Sequence, residues 1–361
     1  MSTPKFYTPS VSIYSELKKR VNSYFRKNNL SPTGNHKLYL KATLLILSYI
    51  SLYIHLVFFT PSAWVAIPEC FLLGLVTAAI GFNIMHDGAH GSFSDNPKIN
   101  LMAAFTLDFL GASSFMWNTK HNVIHHAFTN IEGIDDDIEA GVLLRMAPQQ
   151  KRYTFHKYQY LYFWVLYGLL YLTWVFYTDY KKYFSRKVGT VPLKKLKIRD
   201  HGLFWAFKAF HLVLYVLLPI YMVGFWPWLI GFLCYTTFSG LVLSLVFQLA
   251  HVIEETTFPE VTLPANRLED EWALHQLKTT ANFATKNKFI TWWVGGLNFQ
   301  IEHHLFPRVS HIHYPAISKI VKLACTEMQV PYIEHSTVQR AISSHVSHLK
   351  HMGEGTYANA L

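Results

Sequence analysis

Hydrophobic positions in this chain gather into long runs rather than the short periodic stretches of a soluble domain. Residues 38–59 and 71–85 flank the link "TPSAWVAIPEC", and residues 203–223 and 225–250 meet at "GFWP". A helix needs about 20 apolar residues to cross the hydrocarbon of a bilayer. The runs therefore predict four crossings in two hairpins, with the second run extended back through residues 64–69 at the interface. A fifth run, residues 158–178, is rich in aromatic residues, and residues 100–117 are apolar but carry Asp108. Ahead of the first span, "SIYSELKKRVNSYF" places Ile13, Leu17, Val21 and Tyr24 on one helix face. That stripe suits either an anionic membrane surface or the protein's own cytosolic part.

Composition agrees with a membrane protein. Of 361 residues 51% are hydrophobic and only 15% charged, against about a quarter charged in soluble domains. The first 37 residues contain no signal-peptide core. Three cysteines, Cys70, Cys234 and Cys325, are too scattered for a disulfide framework or a zinc site. No internal repeat, phosphate-binding glycine loop or nucleophile elbow is present.

The net charge of +10 raises the question of nucleic acid, and its distribution answers it. Neither short link carries a lysine or arginine, whereas residues 179–200 carry eight. This is the positive-inside pattern of a membrane protein. Both links fall outside, and both termini and the basic segment fall inside, with Lys41 and Lys208 snorkelling at inner helix ends. No nucleic-acid partner is implied.

Against that frame, eight of the 20 histidines fall just beyond inner helix boundaries. "HDGAH" gives His86 and His90, stacked four apart on a helix. "HNVIHH" gives His121 and His125 on one face, with His126 about 100° round it in a regular helix. "FQLAHVIEE" gives His251 at the end of the last span, and "QIEHH" gives His303 and His304. One shared site requires that 158–178 not cross, because a crossing would put His251 and the basic segment on opposite sides. That run and residues 100–117 are thus predicted to lie in the interface or re-enter.

One metal takes about four to six ligands, so eight imidazoles imply two metals with about four each. Open positions left for water, oxygen or Gln300 suit non-haem iron that reacts with oxygen. A structural zinc would instead take a closed set of four, usually with cysteine. Taken singly, any of these histidines is an ordinary packing residue, and only the three spaced groups together point to metal. The remaining histidines lack such spacing and read as structural or solvated. His311 and His313 read as capping residues or as partners of ligands. Among nearby acids, Asp136, Asp137 and Glu254 are candidates to orient ligand imidazoles through their outer N–H, while the Gln300 amide is a candidate to orient a metal-bound water.

"HDGAH", "HNVIHH" and "QIEHH", in this order and separated by apolar hairpins, resemble the three histidine boxes of membrane fatty-acid desaturases. The resemblance covers roughly residues 60–335, and the three boxes together are far more specific than any one. It implies an all-α, four-span protein with interfacial helices and a cytosolic cap over a diiron centre. The parts would be a basic segment 1–37, a membrane region 38–250 and a cap 251–361. It implies two irons held by His86, His90, His121, His125, His126, His303 and His304. His251 resembles an extra ligand that related enzymes place after the fourth span.

The implied reaction is oxygen-dependent removal of two hydrogens from neighbouring methylenes of an acyl-CoA or acyl-lipid, leaving a cis double bond. Gln300 replaces the first histidine of the third box, as in the front-end branch, which acts between an existing double bond and the carboxyl end. That branch usually carries a fused cytochrome b5 with a His-Pro-Gly-Gly motif, absent here. The chain is similar to shorter bacterial forms of linoleoyl-CoA type, which implies a separate ferredoxin, or cytochrome b5 with its reductase, as electron donor. The implied location is the bacterial cytoplasmic membrane with the site facing the cytoplasm. Phe115, Trp117, Trp292 and Trp293 are candidate walls of an acyl tunnel. Lipid hydroxylation or ketolation on the same scaffold is the alternative reaction. A seven-span zinc receptor or ceramidase-like hydrolase is the alternative class.

Overall fold

Asn35 opens the first span: its side chain accepts from the Lys37 N–H, capping the helix His36–Phe59. The computed structural model describes residues 4–263 and 265–357; the outermost terminal residues, whose sidedness the charge pattern predicts, lie outside them. An amphipathic helix α1 (Ile13–Lys27) comes first, then α2 (His36–Phe59), α3 (Ala63–His90), α4 (Pro97–Phe109) and α5 (Ser114–Phe128). After these come α6 (Thr154–Gly168), α7 (Leu170–Ser185), a small antiparallel pair β1 (Lys187–Val188) and β2 (Val191–Pro192), α8 (Ile198–Val223) and α9 (Phe225–His251). The cap contains α10 (Trp272–Thr279), β3 (Ala281–Phe283), α11 (Gln300–Leu305), α12 (Tyr314–Glu327), β4 (Ile333–His335) and α13 (Val338–Glu354), with β3 and β4 parallel.

Helices α2, α3, α8 and α9 are long and apolar enough to span a bilayer. They form the two hairpins read from the sequence, and α3 and α9 pack along each other at the centre. The two additional apolar runs become bent pairs: α4 and α5 meet at 112°, α6 and α7 at 58°. Bends of this size mark each pair as a broken span or a re-entrant segment. They also bring the basic segment against the loop after α5, where Lys182 Nζ lies 2.7 Å from Asp136 and Thr190 donates to Gly133 O at 3.3 Å.

The apolar stripe of α1 finds its partner in the protein itself. Leu17, Val21 and Phe25 are buried against Leu277, Phe306 and Ile317 of the cap, and this packing takes the face that could have met lipid. Lys41 and Lys208 differ from expectation. Neither snorkels to water, because each finds partners inside: Lys208 Nζ bonds Asp179 at 2.9 Å and the Gly111 and Val175 carbonyls, and Lys41 Nζ lies 3.3 Å from His311 Nε2. Burying an ammonium is tolerable only with such pairing. The three cysteines are free.

Candidate metal centre

Each histidine group sits at a place where regular helix geometry gives way. A π turn, Gly81–Met85, precedes the first group, and α3 then ends at Gly91, whose φ of +72° is the left-handed conformation glycine adopts without strain. Gly88, inside the group, is needed for close approach: a Cβ there would meet Asn100 O at 2.8 Å, so α3 could not lie against α4.

The second group is itself wound as a π turn, Thr119–His125, with the His126 N–H bonding His121 O five residues back. This corrects the regular-helix placement of His126 well round from His121. The wider turn sets residues five apart one above the other, and His126 Nε2 comes within 3.2 Å of His121 Nε2. Insertions of this kind recur at functional sites.

The eight histidines converge on one buried region beneath the cap. His86, His90, His121 and His303 present ring nitrogens all within 4.8 Å of one another, and so do His125, His251 and His304. His126 joins the halves, forming a third such set with His303 and His304. Adjacent His303 and His304 thus serve different halves. On the short helix α11 their rings stand at 85° to each other, one turned to each set.

Ring nitrogens without a partner report what the region can do. His90 Nε2, His125 Nε2, His126 Nδ1, His251 Nε2, His303 Nε2 and His304 Nε2 are buried and make no hydrogen bond. Leaving a buried polar atom unpaired costs about 1–3 kcal/mol, so six in one pocket call for a shared ligand. Burial also holds His303 and His304 well below the ordinary imidazole value, so both are neutral and able to coordinate. All-imidazole donors without cysteine suit a first-row metal that keeps open positions, and do not suit a closed structural zinc. The residues fit two metal ions.

Four of these rings are fixed by a hydrogen bond on the opposite nitrogen. His125 Nδ1 meets Asp135 at 2.9 Å, His251 Nδ1 the Thr279 carbonyl at 3.2 Å, His303 Nδ1 the Tyr314 hydroxyl at 3.1 Å, and His304 Nδ1 the Gln276 carbonyl oxygen at 2.7 Å. With Nδ1 occupied, each ring aims Nε2 inward, the arrangement that fixes tautomer and angle at metal sites. Thr279, Tyr314 and Gln276 carry no motif in the sequence, and only the folded cap brings them to the site.

The candidate orienting residues divide. Gln300 is buried and turns its side chain toward His251. Asp137 lies at the site, with Oδ1 2.5 Å from Lys120 and Oδ2 3.7 Å from His125 Nδ1. Asp136 does not orient a site histidine, because successive side chains in the turn point different ways, and it pairs with Lys182. Nor does Glu254: the chain turns sharply after α9, and Glu254 meets His351 of α13 at 2.7 Å. His311 binds Asp87 at 2.9 Å, and His313 donates to the Thr33 carbonyl at 3.3 Å.

A cavity of about 720 Å³ opens beside His90, between the end of α3, α4, α5 and the start of α8. Phe115 lines it, while Trp117 backs the centre by stacking on His121, ring centroids 4.4 Å apart. Trp292 and Trp293 are not among its walls: Trp292 lies under Lys41 and Trp293 against Phe82.

Comparison with known proteins agrees with this geometry. Residues 62–336 match the family model described as Fatty acid desaturase. The chain is 38% identical over 346 residues to the sn-1 linoleoyl-lipid 6-desaturase of Arthrospira platensis, covering 95% of this chain and 93% of that protein. The corresponding Synechocystis enzyme is 37% identical, with 94% and 95% covered. An acyl-lipid (8-3)-desaturase of Physcomitrium patens is 36% identical over 94% of this chain and 71% of its own length.

Proposed function

This chain belongs to the fatty acid desaturase family, and on that premise we propose that it places a cis double bond near the carboxyl end of an acyl chain carried on a membrane lipid. It is a membrane oxidoreductase of lipid metabolism that depends on oxygen. The observation that carries the reading is the convergence of eight histidines, six with a buried, unpartnered nitrogen. The acyl-lipid substrate and the front-end position, with carbon 6 first among the candidates, rest on the names of the relatives and on Gln300 in the third box.

His86, His90, His121 and His303 would hold one iron and His125, His251 and His304 the other, with His126 close to both sets. Two irons, when bound, supply the oxidising power that removes hydrogen from neighbouring methylenes. The protein's own work is placement. Asp135, Thr279, Tyr314 and Gln276 hold ring angles, and burial under the cap excludes water from a reactive site. Gln300, an amide beside stronger imidazole donors, would orient a water at the centre through its carbonyl or N–H₂ rather than hold a metal ion. The cavity beside His90 brings one pair of carbons to the centre, and fixed position of this kind replaces acid–base catalysis here.

The site faces the cytoplasm of a bacterial cell, on the same side as the basic segment. Electrons arrive from a separate ferredoxin, or from cytochrome b5 with its reductase. The test is expression in a host lacking the corresponding desaturase, with fatty acids profiled by mass spectrometry. A product with two hydrogens fewer and a new double bond on the carboxyl side supports the proposal. A product carrying one oxygen more identifies a hydroxylase or ketolase instead.

A further inference from the structure

Asp108, near the end of α4, puts a buried carboxylate into the wall of the cavity beside His90. Close packing at Gly88 fixes it there, because Ala104, one helical turn before Asp108, lies against that glycine. Asp108 Oδ1 accepts from the Ser114 N–H at 3.3 Å, across the 112° bend between α4 and α5. Its Oδ2 is buried and makes no hydrogen bond. The other carboxylates of the wall differ. Asp95 is exposed and accepts from the Thr33 hydroxyl at 2.7 Å, and Asp200 accepts from the Lys197 N–H at 2.8 Å. Asp179 faces Asp108 from α7 but is not part of the wall; it pairs with Lys208 of α8 at 2.9 Å and accepts from the Ser113 N–H at 2.7 Å. Arg199 and Arg308 are exposed cations of the wall, so the cavity opens at the surface. His90 and Tyr183, whose hydroxyl meets His201 at 2.6 Å, complete its ionisable groups among the described residues.

We infer that Asp108 delivers protons to the metal centre for the reduction of oxygen. The inference rests on the desaturase reading and adds to it where one reactant enters. Each double bond consumes one oxygen molecule, two electrons from the donor and two protons from solvent. With the two hydrogens taken from the acyl chain, these leave as two waters. The acyl carbons need no acid or base, but the oxygen needs protons, and a centre sealed under the cap does not meet bulk water. An acid in the wall joins the two. Asp108 takes a proton on Oδ2 from water at the open end of the cavity and donates it from that O–H toward the His90 end. The carboxylate left behind is protonated again from the open end, so its charge is the same before and after each transfer. Burial pushes its pKa up to about 7, which puts both forms within reach at neutral pH. A cavity of about 720 Å³ has room for water along its polar side, while Leu101, Phe105 and Phe204 keep the other side apolar. An acid kept only to brace the bend would need Oδ1 alone, and asparagine would serve as well.

The test rests on that difference, since Asp108→Asn keeps the volume and the Ser114 contact and removes the exchangeable proton. Purified enzyme is supplied with lipid, a reductase and an electron carrier. Asp108→Asn is expected to hold iron and KM within about two-fold and to lose kcat about 100-fold, the low end of what a positioned proton donor contributes. The wild-type rate should fall as pH rises through about 7, where the donor loses its proton, and Asp108→Asn should lack this limb. Asp108→Glu retains an acid and should keep the limb, with kcat within about ten-fold of wild type. Asp95→Asn should behave as wild type. A second readout needs no turnover. Infrared difference spectra of the resting, iron-loaded enzyme, wild type minus Asp108→Asn, should show a protonated-carboxyl band that fades as pH rises through about 7. Wild-type kcat in Asp108→Asn overturns the inference, as does loss of kcat together with iron. So does an Asp108 that stays ionised at every pH in the infrared spectra. Failure of the desaturase reading looks different: wild-type protein then makes no double bond, while the infrared band of Asp108 still titrates.

Discussion

Asp135 Oδ2 accepts from His125 Nδ1 at 2.9 Å, and neither side chain has any exposed surface. Asp135 Oδ2 also accepts from the Asn130 N–H at 2.9 Å, which closes the turn following the second histidine group. One carboxylate thus sets the angle of a ring and the path of the chain that carries it. We predict that Asp135→Ala lowers iron affinity by about 10–100-fold, the usual effect of losing a partner of a ligand histidine. Asp136→Ala should leave it unchanged. Iron titration of the two apo-proteins separates them, and equal loss in both would remove Asp135 from the role.

Gln300 faces His251 from the first position of α11. Gln300→Ala should keep most of its iron and lose much of its rate, and Gln300→His should also lose rate by filling a position that must stay open. Metal analysis beside turnover checks this. Iron loss in Gln300→Ala as complete as in His303→Ala would make Gln300 a ligand.

The contacts of the basic segment with residues 133 and 136 tie it to the loop after the second histidine group. A cysteine replacing Thr190 should therefore react with an impermeant reagent only from the cytoplasmic face of sealed vesicles. Labelling only from outside would refute the four-span arrangement. The spans and the eight histidines were legible in the sequence, because each declares itself by composition or short spacing; the sidedness that this labelling tests is what charge bias and helix parity propose.

What the sequence withheld depends on distant segments meeting. In the run Asp135, Asp136, Asp137, nothing local says which carboxylate turns inward, since that follows from the fold of one turn. Gln276 and Tyr314 look ordinary until the cap folds them onto His304 and His303. Glu254 looked placed for the site but lies next to His351, contributed by the C-terminal helix. The π turn at residues 119–125 was likewise hidden, because a regular helix and a widened one share the same pattern of apolar residues. The stripe of α1 announced burial without naming its partner.

Electron supply gives a further expectation. Purified protein with oxygen, lipid substrate and NADPH should be inactive until a reductase and a small electron carrier are added. Product accumulation followed by mass spectrometry checks it, and turnover without any added protein would contradict a separate donor.

The central claim is that two histidine sets, joined by His126, hold two irons. Metal analysis of the purified wild-type protein, with Mössbauer spectra of an iron-57 preparation, tests it most directly. The expected result is about two irons per chain, four imidazoles or so to each, in two distinguishable environments. His303→Ala and His304→Ala should each weaken a different one. A single metal per chain, or zinc in place of iron, would contradict it.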